Sequence, residues 1–385
     1  MYQDALAGGR TLRTAVGALI AQPGEDTLKS ARAAWIAARA TYPQTEVFRF
    51  GNKIVDDWEG KVNAWPLDEG LIDYVDRSYG TESDENPLYV ANVIANRKIR
   101  FAGKSIDATR ITRKLLSEKL HEAGGVEANV AVGYHAIEFL LWGQDLNGTG
   151  PGAGNRPWTD YASGAACTHG NCDRRATYLQ VATNLLVDDL AWMAKQWAPG
   201  GKARRALAKG GPNAGITAIL TGLGSLSYGE LAGERMKLGL LLHDPEEEHD
   251  CFSDNTHNSH YYDVVGMRAV YFAGYRRSDG SEVKGPMLAD VVKAADPGLD
   301  AEMRSRLDAT EAAMRRIKER AEIKEAYDQM IGPDNAEGNA VVQAGIDALA
   351  AQTKTLERIV AALRLKPIKF EGSKSLDDPA SVFKK

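Results

Sequence analysis

Apolar residues recur at helical spacing along most of the chain, and no segment shows the strict apolar–polar alternation of a half-buried strand. The pattern therefore predicts an all-α protein. Asp26 or Thr27 is the expected N-cap of the second helix. The predicted helices are residues 5–20, 28–38, 88–97, 108–123, 128–142, 174–196, 215–243, 263–275, 288–292, 301–330 and 336–363. A break at Pro199-Gly200-Gly201 predicts one helical-bundle domain over residues 1–200 and a second over residues 201–385.

The helix predicted over residues 128–142 is apolar on nearly every side, so we expect it to be buried. Its apolar stripe consists of Val126, Val130, Tyr134, Ile137 and Leu141. His135 and Glu138 are three residues apart, which brings their Cβ atoms within about 5–6 Å on one face. Burying a carboxylate costs several kcal/mol unless a partner compensates it. The pair therefore indicates either a metal site or a structural histidine–carboxylate contact.

Two near matches to zinc-peptidase patterns are incomplete. His121-Glu122 begins a His-Glu-x-x-His pattern, but Gly125 stands where the second histidine belongs. The inverted His-x-x-Glu-His pattern would require a histidine directly after Glu138, where the chain has Phe139. The sequence therefore lacks a standard zinc-peptidase motif.

A second set of metal-binding residue types lies in residues 244–260. Four of the seven histidines fall between His243 and His260. Asp254 and His257 have the three-residue spacing of helical carboxylate–imidazole pairs in di-iron bundles. If the segment is helical, His249, Ser253 and His257 share one face. Such donors suit iron, manganese or zinc. The alternative to a metal site is that these acidic residues occupy the solvated first turn of a helix.

Other acidic residues have simpler explanations beside the functional one. Glu46 is three residues before Arg49, so an ion pair is the default interpretation. Glu69 follows a Trp-Pro turn, where it either belongs to a helix start or directs a carboxylate at the site. Glu230 and Glu234 share a helical face, which suggests a bound cation or an arginine between them.

Composition narrows the class of protein. The formal net charge of −5, with 44% hydrophobic and 26% charged residues, describes a globular protein and argues against a dedicated nucleic-acid binder. No apolar run approaches the roughly 18 residues of a membrane span. No secretory signal is present, and the chain opens at Met1 in a helical pattern, as a chain without its leader would. Cys167 and Cys172 form a disulfide in an oxidising compartment or remain two thiols, and Cys251 is expected to be a small buried side chain.

Several stretches together resemble the imelysin-like proteins of bacteria. The longest is Gly-Tyr-His-Ala-Ile-Glu-Phe-Leu-Leu-Trp-Gly-Gln-Asp at residues 133–145. The others are Thr-Glu-Val-Phe-Arg-Phe at 45–50, the segment 63–74, Gly-Glu-Arg-Met at 233–236 and the segment 248–257. The resemblance implies two helical bundles related by duplication, with a site between them. It also implies export to the periplasm or outer membrane, often as a lipoprotein, and a role in iron regulation and uptake. That location favours the Cys167–Cys172 bridge.

The resulting hypothesis is an exported iron-binding or iron-uptake accessory protein whose metal pocket lies between the two domains. The predicted ligands are His135, Glu138, Glu46, Glu69, Glu234, His249 and Asp254. The expected cargo is a metal ion or iron chelate, with iron favoured over zinc and periplasmic or outer-membrane uptake proteins as partners. One alternative is a metallopeptidase, after the family's historical label, in which Glu138 acts as ligand or base. The incomplete zinc motifs favour a role other than catalysis. Another alternative is a partner-binding protein in which the polar cluster is purely structural.

Overall fold

The computed structural model describes residues 1–383, and most of this length is helical. The prediction of an all-α class is confirmed, although two short hairpins accompany the helices. Residues 384 and 385, which end the second predicted domain, lie outside the described part. Within residues 1–383, no helix is both long and apolar enough to cross a bilayer.

The first half of the chain packs its helices around Trp35, Tyr134 and Leu186, which are buried in one hydrophobic core. Its helices are α1 (Tyr2–Ala21), α2 (Glu25–Thr41), α3 (Lys53–Asn63), α4 (Arg113–Leu115), α5 (Gly133–Trp142) and α6 (Cys172–Trp197). A π-helical segment, Leu116–Leu120, continues α4. The longest helices of this half, α1, α2 and α6, lie side by side because each turns an apolar stripe toward this core.

The second half builds another core around Met236, Leu307 and Leu349. Its helices are α7 (Lys202–Ala208), α8 (Gly211–Ser225), α9 (Leu238–Leu242), α10 (Thr256–Tyr271), α11 (Leu288–Ala295), α12 (Pro297–Ile323), α13 (Tyr327–Ile331), α14 (Ala336–Ala362) and α15 (Lys374–Asp377). A π-helical segment, Leu226–Lys237, joins α8 to α9. Val47 and Phe50 of the first half belong to this second core. The domain boundary at residues 200 and 201, and the duplication, stay predictions.

Two antiparallel hairpins contradict the expectation that the chain has no strands. They are formed by β1 (Lys98–Phe101) with β2 (Lys104–Asp107), and by β3 (Gly274–Arg276) with β4 (Glu282–Lys284). The helix predicted over residues 88–97 is wrong for a related reason. Asn92, Val93 and Ile94 donate backbone hydrogen bonds to the carbonyls of residues 70–72. This pairing with a distant segment competes with helix formation and cannot be read from local periodicity.

Two predicted helix starts are also wrong. The second helix begins at Glu25 after Gly24, so neither Asp26 nor Thr27 is its N-cap. Helix α5 begins at Gly133, not at residue 128, and residues 126–132 are not helical. Gly133 has φ +90°, and a Cβ there would lie 2.7 Å from the Val62 carbonyl oxygen. Only glycine fits both conditions, so the chain turns sharply before the helix that carries His135.

Candidate functional site

Two histidines from the two halves of the chain meet in the interior. His135 lies in the first turn of α5, and His249 lies in the irregular segment between α9 and α10. Their ring centroids are 4.8 Å apart, and both side chains are buried. The structure therefore brings together two of the predicted ligands, from positions 114 residues apart in the sequence.

Glu138 fixes the orientation of His135. Its Oε2 atom lies 3.0 Å from Nδ1 of His135, and its Oε1 atom accepts hydrogen bonds from the Ser253 amide (3.0 Å) and hydroxyl (2.6 Å). The contact with Nδ1 leaves Nε2 as the free ring nitrogen. Within the described residues, this buried Nε2 has no hydrogen-bond partner. A buried polar atom without a partner is uncommon and calls for an explanation.

Arg39 and Asp250 complete the site, and sequence reasoning missed both. The Arg39 guanidinium donates to both carboxylate oxygens of Asp250, at 2.7 and 3.3 Å. Asp250 Oδ1 lies 3.9 Å from His135 Nδ1 and 3.8 Å from His249 Nδ1. We call His135, Glu138, His249, Asp250 and Arg39 the histidine cluster. A signal for Asp250 was available, since it directly follows His249, whereas Arg39 is one of several charged residues in α2 and its spacing gave no such signal.

Burial and Arg39 set the charge states of the histidine cluster. Burial first, and then the Arg39 charge, lower the pKa of His135 to about 3, and burial lowers the pKa of His249 well below its usual range. Burial alone would raise the pKa of Asp250, but the Arg39 charge, together with hydrogen bonds from Arg39 and Ser259, outweighs it and the pKa falls to about 2. Burial and the Asp250 charge raise the pKa of Glu138 well above its usual range. Both imidazoles are therefore neutral, which is the form that binds metals.

The donor set of the histidine cluster fits a transition metal in chemical type. Two imidazoles and one carboxylate are the ligands of many non-haem iron sites, and the donor atoms of His135, His249 and Asp250 lie within 4.8 Å of one another. Glu138 has the position of an outer carboxylate that orients a ligating histidine. Arg39 acts against a cation, because it already neutralises Asp250. The unpartnered Nε2 of His135 favours the fit.

Glu46 has a different partner from the one expected. Its carboxylate accepts a hydrogen bond from Arg235 at 2.8 Å, so the predicted pairing with Arg49 is wrong. Arg49 instead contacts Glu59 at 3.6 Å and Glu230 at 3.3 Å. Glu46 therefore belongs to a buried ion-pair network between the two halves and not to the histidine cluster.

Neither Glu234 nor Glu69 belongs to the group of donor atoms that His135, His249 and Asp250 form in the described residues. Glu234 is exposed to solvent. Glu230, on the same π-helical segment, binds Arg235 at 2.6 Å, so an arginine rather than a cation satisfies it. Glu69 is buried, and burial raises its pKa to about 7. No hydrogen bond joins Glu69 to His135 in the described residues.

The segment before α10 is irregular, so the helical face predicted for His249, Ser253 and His257 does not exist. Helix α10 begins only at Thr256. Asp254 has φ +53° and its carboxylate groups with Glu248 and Asp328, whereas the histidine pair groups with Asp250. The predicted Asp254–His257 helical pair is also absent for this reason. Asp254 is therefore not brought to the site for which it was predicted.

Cys167 and Cys172 are joined by a disulfide. The bridge closes the loop before α6, and Cys172 is the first residue of that helix. Cys251 is free and half-buried. The arrangement is the one that the resemblance favoured over two free thiols.

Comparisons with known proteins identify the family and the fold of this chain. The family model described as Imelysin matches residues 1–356. Iron-regulated protein A of Synechococcus elongatus is 35% identical over 71 residues, which cover 18% of this chain and only 20% of that protein. A crystal structure described as a candidate iron-regulated protein A precursor from Parabacteroides distasonis has a TM-score of 0.66 at 16% identity. That similarity covers 94% of this chain and 90% of the other, and it shows a shared fold.

Proposed function

The chain belongs to the imelysin family, and from this premise we propose that it is an exported iron-binding or iron-uptake accessory protein. His135, His249 and Asp250 would hold the iron, and Glu138 would orient His135. The names of the two relatives described above associate similar proteins with iron regulation. This proposal replaces Glu46, Glu69, Glu234 and Asp254 of the predicted ligand set with Asp250.

The observation that carries the proposal is the state of the two histidines. Both are buried and neutral, their rings are 4.8 Å apart, and Nε2 of His135 has no partner. Burying an unpartnered ring nitrogen costs about 1–3 kcal/mol. A metal ion would offset that cost, whereas a purely structural cluster would more simply contain a hydrogen-bonded residue at this position.

Charge balance explains how the histidine cluster would accept a cation. Arg39 and Asp250 neutralise each other at 2.7 Å. The raised pKa of Glu138 means that it carries a proton when no cation is near. An arriving cation would favour ionised Glu138, so we expect iron uptake to release protons, as metal binding to protonated ligands generally does.

Export is the second part of the proposal. The Cys167–Cys172 disulfide supports it, because disulfides persist in oxidising compartments and are rare in the cytosol. Fractionation of cells that express the full-length protein tests this part. Recovery of the protein in the periplasmic or outer-membrane fraction is expected, and its confinement to the cytosol would contradict export.

Iron retention tests the central claim. Protein prepared without a His-tag is loaded anaerobically with ferrous iron, desalted and analysed for metal. We expect about one iron per chain in the parent protein and at least a tenfold lower content in His135→Ala. The control is His169→Ala, which removes a half-exposed imidazole on the disulfide loop and should leave the iron content unchanged. Circular dichroism confirms that each variant is folded.

Two outcomes would contradict iron binding at the histidine cluster. One is a parent protein that retains no iron, and the other is His135→Ala retaining as much iron as the parent. In either case the bidentate Arg39–Asp250 contact supports the alternative function, in which the cluster joins the two halves and the protein binds a partner. Either substitution in the His135–Glu138 pair would then lower the melting temperature without changing the metal content.

A further inference from the structure

Three carboxylates form a second cluster that the proposed iron site does not use. Glu248 and Asp254 come from the segment between α9 and α10, and Asp328 is the second residue of α13. One carboxylate oxygen from each lies within 4.8 Å of the other two. We call these three residues the acidic cluster. Glu248 and Asp328 are almost completely buried, so they cannot rely on water to stabilise their charges.

The acidic cluster contains unpartnered oxygens. Within the described residues, Glu248 Oε1, Asp254 Oδ1 and both oxygens of Asp328 are buried without a hydrogen-bond partner. None of the three carboxylates forms a salt bridge with any of the described residues. Buried carboxylate oxygens without a partner are uncommon in folded proteins, so this grouping calls for a balancing proton or cation.

A tyrosine adds an independent observation. The Tyr327 side chain is buried, and its hydroxyl oxygen also lacks a partner in the described residues. Burial, and then the negative charge of Glu248, raise the pKa of Tyr327 well above its usual range. Tyr327 directly precedes Asp328 in the chain and responds to the Glu248 charge, so a buried, unpartnered hydroxyl belongs to the same part of the interior as the acidic cluster.

The charge on the acidic cluster must be balanced by protons or by a cation. Burial, followed by the neighbouring Asp328 charge, raises the pKa of Asp254 to about 7. Burial also raises the pKa of Asp328 to about 7.

We propose that Glu248, Asp254 and Asp328 bind a hard divalent cation of the size of calcium, at a site separate from the histidine cluster. All the donors are oxygens, which suits Ca²⁺ rather than a metal that prefers imidazole. Ligands on opposite sides of one Ca²⁺, at about 2.3–2.6 Å each, are separated by about 4.6–5.2 Å. Three oxygens that lie within 4.8 Å of one another can therefore all contact one ion of that size. Mg²⁺ is smaller and usually keeps several waters, so three clustered carboxylates suit it less well.

Asp254 offers a conservative test of the calcium site. Its φ of +53° lies in the left-handed region, which asparagine adopts as readily as aspartate. Asp254→Asn therefore removes one charge while keeping the backbone and the size of the side chain. Asp328→Asn is the second variant. Asp334→Asn, which changes an exposed aspartate six residues further along, is the matched control.

Equilibrium dialysis of EDTA-treated protein against CaCl2 measures the binding. We expect about one Ca²⁺ per chain with a Kd of ~10⁻⁴ M or tighter, and at least tenfold weaker binding in Asp254→Asn and Asp328→Asn. Asp334→Asn and His135→Ala should bind calcium as the parent does. Because His135→Ala removes a proposed iron ligand only, the calcium result is independent of the iron result.

Three results would overturn the calcium proposal. The first is a parent protein that binds no Ca²⁺ at about 1 mM, a concentration that fills sites of the weak extracellular class, which would leave protons as the balancing charge. The second is unchanged calcium binding in both asparagine variants, with Asp254→Asn alone deciding if Asp328→Asn fails to fold. The third is preferential binding of Mg²⁺ or Mn²⁺ in parallel dialyses.

Discussion

The histidine cluster and the acidic cluster both contain residues of the same short segment. They differ in whether a basic side chain balances their buried carboxylates. Glu248 belongs to the acidic cluster, and the next two residues, His249 and Asp250, belong to the histidine cluster. Asp250 is fully buried with the Arg39 guanidinium at 2.7 Å. Asp328 is equally buried and has no basic partner in the described chain.

The pKa values record this difference. Arg39 lowers the pKa of Asp250 to about 2 despite burial, whereas burial without a counter-charge raises the pKa of Asp328 to about 7. The charges of the histidine cluster are therefore balanced when no ligand is bound, and iron binding there would add a function. The acidic cluster is incomplete on its own, so a cation there would stabilise the fold itself.

The largest expected effect comes from removing the arginine that makes the histidine cluster complete. Arg39→Met leaves Asp250 charged and buried, and breaking a buried ion pair in this way costs about 3–5 kcal/mol. Chemical denaturation should show a loss of this size. Lys29→Met, an exposed change on the same helix, should stay within about 0.5 kcal/mol of the parent.

A second substitution distinguishes the charge of Arg39 from its packing. In the Arg39→Met background, Asp250→Leu removes the stranded carboxylate, so the double variant should recover much of the lost stability. If Arg39→Met is no more destabilising than Lys29→Met, Arg39 does not neutralise Asp250 and the contrast between the two clusters fails.

The next effect, expected from Asp328→Asn, depends on pH. A carboxyl with a folded pKa of about 7 and an unfolded value of 3.8 binds more protons when folded. Its contribution to stability therefore falls as pH rises from about 4 to about 7 and is constant above that range. In EDTA, the variant should gain stability relative to the parent across this window.

Melting curves at a series of pH values, with and without calcium, measure this difference. Saturating Ca²⁺ should reduce the gain from Asp328→Asn or reverse it, because the ion stabilises only the parent. The curve for Asp334→Asn should run parallel to that of the parent. If the difference in melting temperature between the parent and Asp328→Asn does not depend on pH, burial does not raise the pKa of Asp328.

Long periodic segments made the helices predictable, because one buried stripe in twenty residues dictates both the element and its inward face. Helix α1, helix α6 and helix α14 lie within a few residues of their predicted bounds. The start of α5 could not be predicted from periodicity. Its position depends on the Val62 carbonyl approaching Gly133, a contact between distant segments.

The candidate site was only partly predictable for the same reason. His135 and Glu138 share a helix, so their spacing alone placed them together. Asp250 and Asp254 lie in an irregular segment, where sequence spacing does not determine the direction of a side chain. Their partners, Arg39 for Asp250 and Asp328 for Asp254, depend on the tertiary fold. Helical spacing was applied to residues 249–257, and the irregular backbone there made the result wrong.

The smallest predicted effect concerns Ser253, which lies between the residues of the two clusters and contacts only one of them. Its hydroxyl and amide both donate to Glu138 Oε1, at 2.6 and 3.0 Å. Ser253→Ala removes the hydroxyl contact and keeps the amide contact, so the expected loss is about 1 kcal/mol of stability. Ser163→Ala, at an exposed serine, is the control and should have no measurable effect.

Ion binding by Ser253→Ala tests whether the two clusters are independent. Glu138 would then hold His135 less firmly, and contacts that orient a ligating histidine contribute to metal affinity, so iron affinity should fall. Calcium affinity should not change, because no contact of the Ser253 hydroxyl reaches Glu248 or Asp328 in the described residues. Equal losses for both ions would contradict two separate sites, since the segment would then act as a single unit. Unchanged iron affinity with lower stability would mean that Ser253 supports the fold and not the metal.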